Sequence, residues 1–142
     1  MKKIAICLLI LAGLSSGTAL ADILIIANKD VPDAEFSQKN IVKIFLGKLR
    51  QWSDHSKIRP VTVKMPAVRE TFFREYLNKS VTKYNAYWKR MIFTGRGVPP
   101  KAFETEAELV EYVAGTGGAI GCVSPEGIPD GSKSMIRIIK IK

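Results

Sequence analysis

The chain has 142 residues, 46% of them apolar, with 22 Lys and Arg against 13 Asp and Glu and a formal net charge of +9. That is enough apolar sequence for one core and too little length for two, and the excess of cations suits an anionic partner better than a cationic one. Two cysteines, a single histidine and the lack of any Cys-x-x-Cys, Walker or glycine-rich dinucleotide turn give no support to a metal centre, a nucleotide cofactor or a Ser-His nucleophile.

In chain order, Lys2 and Lys3 precede an apolar run, Ile4 to Leu14, that is too short to cross a bilayer, and Ala19-Leu20-Ala21 has the small-x-small form of a cleavage site. Residues 1–21 read as a signal peptide cut after Ala21, which places a single domain, residues 22–142, in a periplasm. An uncleaved anchor is the other reading. Cys7 lies too early in the apolar run for a lipid-modified start. Cleavage would leave Cys122 alone, so no intramolecular disulfide is expected. In an apolar strand such a cysteine reads as a small buried hydrophobe.

Ile23-Leu-Ile-Ile-Ala27 is a continuous apolar run of strand length, suited to a sheet covered on both faces. Asp30 to Asp33 is a turn. Ser37 is placed to cap a helix, with Phe36 and Ile41 in the staple positions on either side of the cap. Ile41, Ile44 and Phe45 then share a face, and Gly47 stops the helix. Trp52 to Lys57 is a loop in which His55 is an exposed turn residue, and Pro60 to Met65 is a second strand. Val68 to Asn78 is a helix, with Phe72/Tyr76 and Phe73/Leu77 stacked four apart. Ser80 caps another helix reaching Phe93, whose apolar side is Tyr84, Tyr87, Trp88, Met91 and Ile92. Thr94-Gly-Arg-Gly-Val-Pro-Pro100 breaks it. Thr105 and Glu108 have capping-box spacing and open a helix to about Ala114, which Gly115 to Gly118 ends. Ala119 to Val123 is a strand, and Met135 to Ile141 another. Strands separated by helices imply an α/β sheet.

The charge is unevenly distributed. Lys39 to Lys101 holds fifteen Lys and Arg against Asp54, Glu70 and Glu75, whereas the flanking stretches are net acidic. Within the basic block, Arg69 falls in the first turn of its helix, where a cation opposes the helix dipole and where free backbone N–H groups need acceptors. A bound oxyanion would answer both needs, accepting N–H bonds and pairing with the guanidinium. Pairing of Arg69 with Glu70 or another carboxylate is the alternative. Thr94 and Arg96, in Thr94-Gly-Arg-Gly97, are a second candidate for anion contact; a helix-ending turn with an exposed Arg explains the motif equally. The Tyr84/Tyr87/Trp88 stripe with its flanking cations reads as core on one side and solvated charge on the other, not as a nucleic-acid platform.

Three segments occur in a fixed order: Ile41-Val-Lys-Ile-Phe-Leu-Gly-Lys-Leu-Arg-Gln-Trp52, Pro66-Ala-Val-Arg-Glu-Thr-Phe-Phe-Arg-Glu-Tyr-Leu77 and Gly117-Gly-Ala-Ile-Gly-Cys-Val123. Together, over roughly Ile23 to Val123, they resemble one lobe of the phosphate-type periplasmic solute-binding proteins. The resemblance implies a type II periplasmic-binding-protein-like lobe, a mixed sheet flanked by helices, with phosphate as ligand and an ABC transporter or envelope protein as partner. In that family two lobes close as a clamp; this chain has room for one. Where the family has Ser-Gly-Thr before Arg-Glu, this chain has Pro66-Ala67-Val68, without the two hydroxyls and the glycine, and Pro66 has no N–H. The donors expected at such a site are therefore Arg69 and the N–H groups of Ala67, Val68 and Arg69, with Thr94 and Arg96 lining the same mouth. No cofactor, metal or enzymatic activity is expected, and binding would be weak unless a partner chain or a homodimer supplied the second jaw. The competing reading is a protein-interaction module that has lost its ligand and presents the basic face to an acidic envelope protein or anionic lipid. A third is an enzyme using Cys122.

Overall fold

The computed structural model describes residues 22–142; the expected leader, residues 1–21, lies outside the described residues. The elements run β1 (Leu24–Asn28), β2 (Glu35–Phe36), α1 (Gln38–Phe45), β3 (Arg59–Val63), α2 (Pro66–Tyr76) and α3 (Val81–Phe93), then β4 (Lys101–Phe103), α4 (Glu106–Gly115), β5 (Ala119–Val123), β6 (Ile136–Ile138) and β7 (Lys140–Ile141), with short 3-10 turns between β5 and β6. The main sheet has the order β4-β3-β5-β1-β6. β3 runs parallel to β4 and β5, whereas β1 is antiparallel to β5 and β6. β2 and β7 form a separate parallel pair. The sheet is thus mixed, with helices on both faces: α4 packs on β5 and β1, and the α1–α2–α3 group packs through α2 on β3 and β5. β5 is buried along its whole length.

The capping logic of the sequence holds at three helices. The hydroxyls of Ser37, Ser80 and Thr105 accept from the N–H groups of Asn40, Lys83 and Glu108, and Glu108 closes the capping box. Gly47 follows α1 with φ +71°, and a side chain there would press on Trp88, which explains the stop. The expected helix at Val68 begins two residues earlier, because Pro66 takes the first helical position, where its fixed φ fits and its missing N–H costs nothing.

One core joins both faces of the sheet, closing within Ile23 to Ile139. Its centre is aromatic: Phe45 meets Phe72 edge-on at 4.8 Å, and Phe73 meets Tyr84 at 4.2 Å. Trp52, the last residue of the first motif, is buried and donates from Nε1 to the Gly118 carbonyl at 3.1 Å. Gly118 has φ +78°, and a Cβ on it would fall 2.1 Å from the Lys57 carbonyl oxygen. The first and third motifs are therefore two halves of one contact. Cys122 lies in β5, buried, as expected of a small hydrophobe.

Three local expectations are corrected. Ile92 is not part of the buried side of α3 but is mostly exposed, because the core contact of that helix ends with Trp88 and the half-buried Met91. β4 was not expected; it forms because Lys101–Phe103 lies beside β3, 38 or more residues earlier, and no local pattern marks it. The single strand expected over Met135–Ile141 is two, β6 and β7, divided at the buried Ile139, where the chain leaves the main sheet to pair with β2.

Candidate functional site

The parallel strands β3, β4 and β5 end on one side of the sheet, the side where open α/β sheets place ligands. Two helices start there. α4 begins just after β4, and its amino end is occupied by the protein's own groups. Besides the capping box, the buried Glu106 carboxylate accepts from the Ser124 N–H and hydroxyl, both at 2.8 Å. Gly127 leaves room for it: a Cβ there would sit 1.9 Å from Glu106 Oε2.

α2 begins just after β3, and its amino end is different. Met65 occupies the cap position and offers no side-chain acceptor, and the first turn holds no acidic residue. The Arg69 N–H already donates to the Met65 carbonyl at 2.9 Å, so it is not free for a ligand as the sequence suggested. The N–H groups of Ala67 and Val68 meet no acceptor among the described residues. The Arg69 side chain is half-buried. Its guanidinium lies over the Phe73 ring, 5.0 Å from the centroid, and Nη2 donates to Asn85 Oδ1 at 3.1 Å. No carboxylate among the described residues lies within ion-pair distance of it, so the expected alternative, a pair with Glu70, does not form. A cation with one neutral partner thus belongs to the same helical turn as two unoccupied N–H donors.

The Arg69 side chain opens on a surface notch of about 250 Å³ lined by Lys64, Pro66, Arg69, Glu70, Val81 and Asn85; Ala67 and Val68 are not among its lining residues. Through Lys64, Arg69 and Asn85 it continues into a shallow trough along α3, walled by Tyr84, Trp88, Ile92 and the Pro99-Pro100 pair. The Tyr84 hydroxyl and Trp88 Nε1 are buried and lie near one another without reaching hydrogen-bond geometry, so both remain unsatisfied. Burial holds the Tyr84 hydroxyl far above the usual phenol range, which keeps it protonated and a donor. Lys64 is paired with Glu104, which leaves Arg69 as the unpaired cation of the notch.

Thr94 and Arg96 are not brought to this mouth. The Thr94 hydroxyl donates to the Arg90 carbonyl at 2.8 Å, and the Arg96 N–H donates to the Met91 carbonyl at 2.9 Å, so the segment closes the end of α3. Both residues are exposed, and neither lines the notch or the trough. His55 is an exposed turn residue at φ +68°, and no cluster of metal-ligating side chains occurs among the described residues. Burial raises the Cys122 thiol far above its ordinary pKa, so it is a protonated, inaccessible group rather than a nucleophile. Asn85 is the site residue that sequence reading missed. Its only signal is a polar side chain on α3 one residue after the buried Tyr84.

No family model matches the chain, and no curated protein matches it in sequence. Solved structures do match its fold. A phosphate ABC transporter substrate-binding protein with bound phosphate, from Clostridium perfringens, superposes with a TM-score of 0.62 at 19% identity over 84% of this chain and 44% of that one. An ABC-type phosphate transport receptor from Vibrio cholerae gives 0.54 at 16% identity over 84% and 45%. PstS from Borrelia burgdorferi gives 0.52 at 14% identity over 84% and 47%. The chain therefore has the fold of one lobe of a phosphate-type substrate-binding protein, and it spans less than half the length of these structures.

Proposed function

We propose that this chain is an exported binding domain for a small oxyanion, inorganic phosphate first, held at the amino end of α2 and serving ABC-type phosphate transport or its sensing. The observation that carries the reading is the unfilled first turn: the Ala67 and Val68 N–H groups lack acceptors among the described residues, and the guanidinium of Arg69, in the same turn, has no carboxylate partner. A tetrahedral oxyanion supplies acceptors to the N–H pair and a counter-charge to the guanidinium, with the helix dipole of the same sign as the cation. Asn85 orients Arg69. Binding here involves no catalysis, metal or cofactor. The solved structures that share the fold are named for the same ligand and support the choice of phosphate.

One lobe leaves the anion facing water, and sites that hold ligands tightly bury most of their surface. The expected affinity of the domain alone is on the order of millimolar, or about −4 kcal/mol. Tighter binding requires a second jaw from a partner chain or another copy. Export follows from the leader-like residues 1–21 and puts the site in the periplasm.

Calorimetric titration of residues 22–142 with phosphate at low salt, beside Arg69→Ala, tests the reading. Saturable heat that vanishes in the variant is expected. Absence of heat in the unaltered protein, or equal heat in both, overturns it.

A further inference from the structure

We propose that the tip of α3 and the loop after it seat this domain on an anionic lipid bilayer. Six large apolar side chains are conspicuously exposed among the described residues, and three of them lie between positions 92 and 98: Ile92 at 55%, Phe93 at 93% and Val98 at 85%. Scattered single apolar residues need no explanation, but a cluster does. Nothing within the domain covers this one, since the core contact of α3 ends at Trp88 and Met91.

The tip is built before it meets anything. The Thr94 hydroxyl and the Arg96 N–H tie the last turn of α3, Gly95 takes φ +67°, and Pro99-Pro100 stiffens the return. The backbone that carries Phe93 is therefore fixed and has little conformational freedom to lose on docking. Lys89 and Arg90 lie one helical turn before it on α3, and Arg96 follows in the loop. Below them is Arg50, whose guanidinium donates to the Gly47 carbonyl at 2.9 Å and the Arg96 carbonyl at 3.4 Å. None of these four cations is paired with a carboxylate among the described residues.

The sign of the charge and the small size of the tip select the occupant. A second copy would bring the same four cations face to face, which is repulsive. A stable protein interface buries roughly 1,200–2,000 Å² with complementary packing, far more than three side chains provide. A bilayer needs no such area: an apolar tip enters the headgroup boundary while Lys and Arg side chains meet anionic lipid at the surface. Ile92 also forms a wall of the trough that leads to Arg69, so a domain seated this way holds its anion notch beside the membrane surface.

The test is sedimentation of residues 22–142 with vesicles of phosphatidylcholine alone and of phosphatidylcholine with phosphatidylglycerol. Retention is expected only on the second. It should weaken about tenfold in Phe93→Ala/Val98→Ser, whose thermal midpoint and phosphate titration should be unchanged because both positions are exposed. Phe93→Trp should shift its emission to the blue on those vesicles, against native Trp52 and Trp88 that are already buried. No retention on anionic vesicles overturns the proposal. So does retention that Arg90→Gln/Arg96→Gln abolishes but the tip variant leaves intact, since that is adsorption without insertion. Capture by an acidic polypeptide with no vesicle binding also overturns it and assigns the tip to a protein. Because it does not use Arg69, this outcome is separate from that of the phosphate titration.

Discussion

Two helices start at the same end of the same three strands, and the chain treats them in opposite ways. At α4 the protein supplies its own acceptors: the Thr105 hydroxyl, the Glu108 carboxylate, and Glu106 bound to Ser124. At α2 it supplies none, puts Pro66 at the first position and adds a cation, Arg69, where the dipole favours an anion. The first arrangement is self-contained and contributes to stability. The second leaves donors unfilled and stability unclaimed, which is what a ligand site requires. A helix start after a parallel strand becomes a structural end or a candidate binding end according to whether the side chains bring the negative charge themselves.

The sharpest way to break this contrast is at α4. Glu106→Ala should cost about 1–2 kcal/mol, because it leaves the half-buried Ser124 N–H unpaired and opens a gap beside Gly127. Thermal unfolding would read it, and phosphate binding by the folded fraction should not change. Arg69→Ala should do the reverse, weakening phosphate binding about tenfold or more while moving stability by less than about 1 kcal/mol, since the side chain is half-exposed and holds only Asn85 and a ring face. Paired calorimetry and melting curves on both variants would show whether the two ends separate as stated.

A third variant converts one end into the other. Met65 sits at the cap of α2 with a non-helical backbone (φ −55°, ψ 117°) and 40% of its surface exposed, so Met65→Asp can supply the missing acceptor. It should stabilise the fold by about 1 kcal/mol and abolish phosphate heat, because its carboxylate occupies the place of the ligand. A stabilised variant that still bound phosphate would locate the anion elsewhere. The smallest expected effect is on β5, which lies under both helices. Cys122 has a folded pKa raised by burial, so its neutral form is favoured by folding. The stability this gives is fully present below the unfolded thiol pKa, about 8.5, and declines as pH rises above it, by about 0.8 kcal/mol at pH 9. Denaturant midpoints at pH 7 and pH 9 would measure the decline, and a thiol reagent should modify Cys122 only on unfolding.

Most of the architecture is legible because it is local. Ser37, Ser80, Thr105 with Glu108, and Gly47 announce helix ends through chemistry confined to one turn, and all four act as that chemistry requires. β4 is not legible because its only partner is distant in sequence and Lys101-Ala-Phe carries no strand pattern of its own. The β6–β7 division is hidden for a related reason: Ile136-Arg-Ile-Ile-Lys-Ile141 is rich in β-branched residues throughout, and the partner that takes up β7 is β2, about a hundred residues earlier. Ile92 misleads because helical spacing continues past the point where the core stops. At the candidate site, Arg69, Ala67 and Val68 are legible from the helix start, whereas Asn85 depends on how α3 crosses α2. Thr94 and Arg96 are drawn to the site by a glycine motif whose local work is to end a helix.

The position of β1 also bears on how the chain reaches this fold. β1 is the first strand in the sequence, yet it pairs Leu24 with Val123 and Ala27 with both Ile120 and Arg137. Its neighbours are therefore made about a hundred residues later, β5 slightly under and β6 slightly over that distance, and the sheet cannot be completed until nearly the whole domain is available. Such non-local pairing folds slowly. For the exported domain proposed above, this order of pairing leaves β1 without a partner until β5 and β6 have also been delivered.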